Sequence, residues 1–234
     1  PWSNYRDSII SAEVSVKGMT DASDLFSGCE NLESVDFTFF DTSKITNMFS
    51  MFAGCHSLSS LNLEKFDTSA VTNMCRMFEN CGISELDLSN FNTHEVTDMS
   101  FMFRGCSNLY RLNISNFDVS SVMNMRCMFD GCENLKELNL KNFNTSNVTD
   151  MGKMFWNCKS LVSLDLSRFN TSKVGDMGEM FWGCENLEAL DLGGFDTSVT
   201  VDMGGMFEDC KKIENITVIF DDVTVDIPEN FEQN

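Results

Sequence analysis

The run Cys132-ENLKELNLKNFNTSNVTDMGKMFWN-Cys158 decides the fold, because it recurs along the chain with little change. Its cysteine returns at Cys29, Cys55, Cys81, Cys106, Cys132, Cys158, Cys184 and Cys210, every 26 residues apart from one step of 25 between Cys81 and Cys106. Self-similarity at such a period is the mark of a solenoid, in which one supersecondary unit stacks on its copies. Corresponding residues of successive coils then lie about 4.8 Å apart, the spacing of hydrogen-bonded strands, so each column of the repeat reports one environment.

Two columns are apolar throughout, one running from Leu32 through Leu135 to Ile213 and the other from Val35 through Leu138 to Ile216. The L-x-x-L-x-L segment alternates at its end as a strand with one buried face does, which predicts one long parallel sheet. The following D-T-S-x-V-T stretch is rich in side chains that bond their own backbone and predicts a turn. Val148, Met151, Met154, Phe155 and Cys158 then form an apolar stripe suited to a short helix, with Thr149 as its cap. The expected fold is an α/β repeat: a right-handed, leucine-rich-repeat-like solenoid with one short parallel strand and one short helical turn per 25 to 26-residue coil, about eight coils in all.

The 234 residues read as a single domain, with 42% apolar residues and only two prolines. Residues 1–25 are expected to cap the first coil, with Ile9, Ile10, Val14 and Val16 in strands. Repeats occupy 26–216, and 217–234 supply a C-terminal capping strand and tail. Open solenoid ends expose core and unpaired backbone, hence the caps. The one-residue deletion after Cys81, at Gly82, is expected to be absorbed by a tighter loop. No membrane-spanning run, signal peptide or lipidation motif is present, and a chain beginning at Pro1 reads as a piece of a longer protein.

The column cysteines read as buried free thiols, since side chains of an in-register ladder point the same way and cannot face each other to bridge. Cys75 and Cys127 fall in other columns, two coils apart, and are expected to be unpaired with each other. One cysteine per coil offers no metal-binding pair, and no metal or cofactor is expected.

The string FNTSNVTDMGKMFWNCKSLVSLDLSRFNTSKVGDMGEMFWGCENLEALDL, Phe143 to Leu192, resembles the BspA-like leucine-rich-repeat surface proteins, in the 26-residue variant common in mycoplasma lipoproteins. The resemblance covers nearly the whole chain. It implies a secreted or surface-anchored protein used for attachment to host or microbial surface proteins or glycans, without catalytic residues.

The residues independently point away from an enzyme. His56 and His94 are isolated substitutions in the repeat, and no phosphate loop, zinc-protease pair or nucleophile elbow occurs. A net charge of −20 excludes ordinary nucleic-acid binding, weakens any case for anionic membrane surfaces and favours basic partners; no direct membrane insertion is expected. Three Asp/Asn columns, exemplified by Asp165, Asn144 and Asp150, read as turn residues, with a calcium array as a minor alternative. Threonine columns through Thr145 and Thr149 raise ice binding as another.

Candidate function rests where a column breaks its own rule. The position two before the cysteine reads Ala53, Glu79, Arg104, Asp130, Trp156, Trp182, Glu208, whose charged members predict exposure. Trp156 and Trp182 on adjacent coils would then form an aromatic patch suited to a protein hot spot or a sugar platform, with Lys153 and Glu179 beside them. Tyr110 is a second, separate candidate. The expected function is adhesion or protein interaction at the cell surface, its rival a passive spacer that projects another domain.

Overall fold

The computed structural model describes residues 4–213 and 215–217. Coils stack in register through their main chains. Parallel bridges connect Asp21, Asn47, Asn73, Asp98, Asn124, Asp150, Asp176 and Asp202 in an unbroken series, one rung per coil. This ladder follows the Asp/Asn column just before methionine, and it already begins at Asp21, ahead of the first full repeat.

The leucine side is less regular than the sequence predicts. Strands form only as three separate parallel pairs: β1 (Ser11–Glu13) with β2 (Ser34–Asp36), β3 (Glu85–Asp87) with β4 (Arg111–Asn113), and β5 (Ala189–Asp191) with β6 (Asn215–Thr217). One further bridge joins Ser163 to Ala189. The expected single long sheet is therefore a broken one. β1 lies on the first coil but spans only Ser11–Glu13, so none of Ile9, Ile10, Val14 and Val16 is in the strand; Val14 is buried with its N–H bonded to the Asp36 carbonyl at 2.9 Å, while Ile10 and Val16 are exposed. The cap and tail expected after Thr217 fall outside the described residues.

The expected helical turn is replaced by a series of tight turns; among the described residues the only helical segment is a 3₁₀ turn at Arg6–Ser8. From Met48 to Cys55, N–H groups alternate in destination. Those of Met48, Ser50, Phe52 and Gly54 reach the carbonyls of Asn73, Cys75, Met77 and Glu79 in the next coil, at 2.9, 3.0, 2.9 and 2.7 Å. Those of Met51, Ala53 and Cys55 turn back to Met48, Ser50 and Phe52 in their own coil, at 3.2, 3.1 and 3.2 Å. A helix would send every N–H back four residues and leave none for the neighbouring coil. The alternation needs left-handed backbone at Ser50 (φ 52°) and Gly54 (φ 73°), and the same two positions repeat in later coils. Apolar spacing predicted which side chains are buried correctly; the backbone that buries them is not helical.

Side-chain files reinforce the stack. Phe26, Phe52, Phe78, Phe103, Phe129, Phe155, Phe181 and Phe207 stack ring on ring, 5.6 to 5.8 Å between centroids and within 9° of parallel. Parallel rings at this separation fall within the range that aromatic pairs favour, and the main-chain register repeats the pairing at every coil. The column thiols are buried and free. They also link coils: Cys158 Sγ donates to the Phe129 carbonyl at 3.1 Å, and Cys132, Cys184 and Cys210 make equivalent bonds. Burial raises their pKa, to about 12 at Cys210, so they stay protonated donors. Cys75 and Cys127 are likewise free and buried.

The threonine column is an internal fitting. Thr145 Oγ1 donates to the Asn170 carbonyl at 2.9 Å and accepts the Asn170 N–H at 2.8 Å, closing each coil on the next. Thr42, Thr68, Thr93, Thr145, Thr171 and Thr197 are all buried, which leaves only the interrupted column of Thr46, Thr72, Thr97 and Thr149 at the surface. At Gly82, the one-residue deletion brings backbone so close that a β-carbon would lie 1.9 Å from the His56 carbonyl oxygen, so only glycine fits.

Candidate functional site: an acidic trough walled by tryptophan

The site begins with the Asx turns of the ladder. Asp150, Asp176 and Asp202 each accept, through Oδ1, the N–H two residues on at 2.9 Å. In earlier coils that next-but-one residue is Phe49, Cys75, Ser100 or Arg126; here it is Gly152, Gly178 and Gly204. The missing side chains at Gly178 and Gly204 open a trough along the solenoid, whereas the space over Gly152 is taken by Arg126. Its volume is about 540 Å³, and its walls include Trp156, Trp182, Glu179, Glu208, Asp176 and Asp202.

Trp156 and Trp182 stack with centroids 4.8 Å apart and planes 9° from parallel. Lys153, at a left-handed position (φ 58°), pairs with Glu179 at 3.0 Å on the same wall. The structure thus brings together four of the five candidate residues, Trp156, Trp182, Lys153 and Glu179, around one cavity. The tryptophans are half-buried, which departs from the exposure expected of their column. The column's charged members explain why: Glu79 and Asp130 are buried, held by Arg104 at 3.1 and 3.2 Å. Burial accordingly raises the Asp130 carboxyl above its usual range, against the pull of Arg104. The indole Nε1 of Trp156 is buried with no hydrogen-bond partner among the described residues.

Stacked face to face, each ring covers one face of the other. Such a pair offers edges and two outer faces rather than the broad coplanar platform that a sugar ring needs. The geometry suits a side chain that enters edgewise from a protein partner.

Arg126 lies at the head of the trough. Its Nη1 is 2.6 Å from Asp176 Oδ2 and 3.6 Å from Asp150 Oδ1, and a β-carbon on Gly152 would come within 2.6 Å of it. A guanidinium therefore spans these two rung carboxylates where a calcium array was considered. Burial raises the Asp150 carboxyl, opposed by the Gly152 N–H and by Arg126. Among the described residues, no group of three or more His, Cys, Asp and Glu comes together as a metal site.

Tyr110 is not part of this trough. It lies on the leucine side, where its hydroxyl donates to Glu85, beside a separate polar groove of about 950 Å³ that also includes Arg111, Glu137, Lys141 and Asp165. His94 sits on the surface with Nδ1 3.1 Å from an Asp118 carboxylate oxygen. Arg126, Asp176, Asp202 and the glycine floor are the residues sequence reasoning missed. Their signal was present as the repeated D-M-G of 150–152, 176–178 and 202–204, where earlier coils have N-M-F, N-M-C, D-M-S and N-M-R.

The family model described as "Mycoplasma protein of unknown function, DUF285" matches three overlapping stretches of the chain, residues 20–138, 81–189 and 103–220. No curated protein matches it. Among solved structures it is similar to a leucine-rich repeat protein from Bacteroides ovatus, at 15% identity and a TM-score of 0.46, over 91% of this chain and 61% of that one. A leucine rich cell surface protein from Faecalibacterium prausnitzii matches at 15% identity and a TM-score of 0.37, over 88% of this chain and 59% of that one. The leucine-rich repeat protein of T. pallidum matches at 18% identity and a TM-score of 0.36, over 65% and 78%. This chain spans about three fifths of the length of the first two. Matched by that model from residue 20 to residue 220, the chain belongs to the DUF285 family.

Proposed function

We propose that this chain is a non-catalytic binding module of a surface-displayed protein, and that it engages a host or microbial surface protein through the trough beside Trp156 and Trp182. The observation that carries this reading is the coincidence of the paired tryptophans with the cavity that Gly178 and Gly204 open. Elsewhere the repeat fills its interior with stacked apolar side chains, so departures from it mark the surface where selection acts on something other than stability. The repeat's resemblance to BspA-like proteins supports display at the surface. The face-to-face rings favour a protein partner over a glycan, and the acidic net charge favours a basic one.

The test is a screen of the purified chain against immobilised host-matrix proteins and a glycan array, with the Trp156→Ala/Trp182→Ala variant run in parallel. Truncating two central aromatic side chains is expected to weaken a retained protein ligand by on the order of a hundredfold or more, two hot-spot residues at about 2 kcal/mol each. A ligand bound equally by both forms would move the site elsewhere on the solenoid. A folded chain that binds nothing would favour the spacer reading, which the unbroken main-chain ladder from Asp21 to Asp202 also suits.

A further inference from the structure

The Asx rungs repeat by translation, so what fills one interval of the ladder shows what fits the next. Arg126 fills the interval between Asp150 and Asp176, its guanidinium lying over Gly152. Moved on by one coil, the same guanidinium would lie over Gly178 between Asp176 and Asp202. The residue that would supply it is position 152, which is glycine. The second interval thus has the floor of the first and two carboxylates, of which Asp176 is already bonded through Oδ2 to Arg126 while Asp202 is unpaired among the described residues, and it has no cation from its own repeat. A β-carbon at Gly178 would stand 3.0 to 3.1 Å from the Asp202 carboxylate, which shows how closely the acid borders the open floor.

We infer that this second interval binds an arginine side chain of a basic partner segment, taking the place that Arg126 takes one coil earlier. Three further features agree. The wall beside the interval carries Trp182, whose indole offers a guanidinium a cation–π surface, and Glu208, a further carboxylate. Asp202, unlike Asp150 and Asp176, forms no ion pair among the described residues. The chain's own residues 218–234 contain no lysine or arginine, so they cannot supply the cation. Arginine is favoured over lysine because a planar fork can address two carboxylates at once while stacking on an indole, and a point charge cannot.

The inference rests on the binding-module reading and narrows its partner. It is tested by titrating the chain with the blocked peptide Gly-Gly-Arg-Gly-Gly at physiological salt, following the amide resonances of Gly178 and Gly204 and the Trp182 indole by NMR. These signals are expected to shift together, and the lysine analogue to bind several-fold more weakly. Asp202→Asn is expected to weaken the arginine peptide by on the order of tenfold. It should leave the thermal midpoint unchanged, because asparagine holds this column at Asn47, Asn73 and Asn124 and bonds the same N–H. Gly178→Phe, which puts at this position the residue the column has at Phe49, should abolish binding by filling the floor.

Asp87→Asn, the same charge change on a distant column, should leave affinity intact. Equal weakening by Asp87→Asn and Asp202→Asn would overturn the inference in favour of general charge attraction, as would equal binding of the lysine peptide. A matrix protein lost by the tryptophan double variant, together with no response to the arginine peptide, would keep the binding module and discard the arginine interval. Peptide shifts confined to this interval, with no protein retained in the screen, would do the reverse.

Discussion

At the scale of single residues, the chain contains its own control experiment. Thr145 bridges to both the N–H and the carbonyl of Asn170, whereas the same column holds Val119 one coil earlier. There the N–H that has lost its hydroxyl partner, that of Asn144, turns back to the Asn142 carbonyl in its own coil at 3.0 Å. Thr145→Val should therefore cost about 1 kcal/mol, the low end of the penalty for unpairing a buried group, because a fallback partner exists. Val119→Thr should recover a similar amount, and chemical denaturation measures both. Burial separates two leucines that look alike in the sequence. Leu135 is fully enclosed, whereas Leu138 borders the groove on the leucine side. Leu135→Ala is expected to cost about 4 kcal/mol and Leu138→Ala about 2 kcal/mol, within the usual range for core truncations. Equal denaturation midpoints for the two variants would contradict this ranking.

At the scale of the element, the coil is a succession of Asx and tight turns whose acids carry a pH signature. Asp41, Asp67 and Asp165 each accept the hydroxyl and the N–H of the serine two residues on, at 2.6 to 3.1 Å. The serine hydroxyl first, and its amide second, hold these carboxyls below their usual range. A depressed folded value means that the stabilisation is complete above the unfolded Asp value of about 3.9 and is lost as pH falls through the lower folded values. Stability should thus fall with increasing acidity below about pH 4. The triple variant Asp41→Asn/Asp67→Asn/Asp165→Asn should lose less over that window, as read from thermal midpoints between neutral and acid pH.

The turns also show where sequence reading stops. The residue before each column cysteine is left-handed, and it is visible in the sequence as Gly28, Gly54, Gly105, Gly131 and Gly183, with Asn80, Asn157 and Asp209 in the other three coils. The other left-handed position holds Ser50, Arg76, Phe101, Cys127, Lys153 and Glu179, which share no conformational preference. It is enforced by hydrogen bonds to the next coil, so no local signal reveals it, and an apolar spacing compatible with a helix filled the gap. Solenoid, columns and core were legible because each depends on residues that recur. The tryptophan pair was legible as a broken column, but charged residues in that column suggested exposure because the burial of Glu79 and Asp130 against Arg104 depends on contacts between coils, and Tyr110 borders a groove that only the folded stack defines.

At the scale of the whole molecule, main-chain bonds join each coil to its neighbours, with the Arg126–Asp176 pair reaching two coils on, so stability should add coil by coil to a first approximation. Removing residues 107–132 joins Cys106 to Glu133 in register and deletes one complete period. The shortened chain is expected to fold, with a lower denaturant m-value in proportion to the surface lost. Removing half as many residues, 107–119, would bring polar turn positions onto apolar columns and is expected to abolish the cooperative transition.

The Asp21-to-Asp202 ladder has a consequence for heredity as well. Because one coil meets the next through main chain, cysteine and threonine columns that are nearly the same at every step apart from those at Gly82 and Val119, the upper surface of most coils fits the lower surface of most others. Unequal crossing-over between the repeated stretches of such a gene would yield products that still stack, longer or shorter by whole coils. A lineage carrying it can change how many coils lie on either side of the tryptophan trough in a single recombination event, without first passing through a misfolded intermediate.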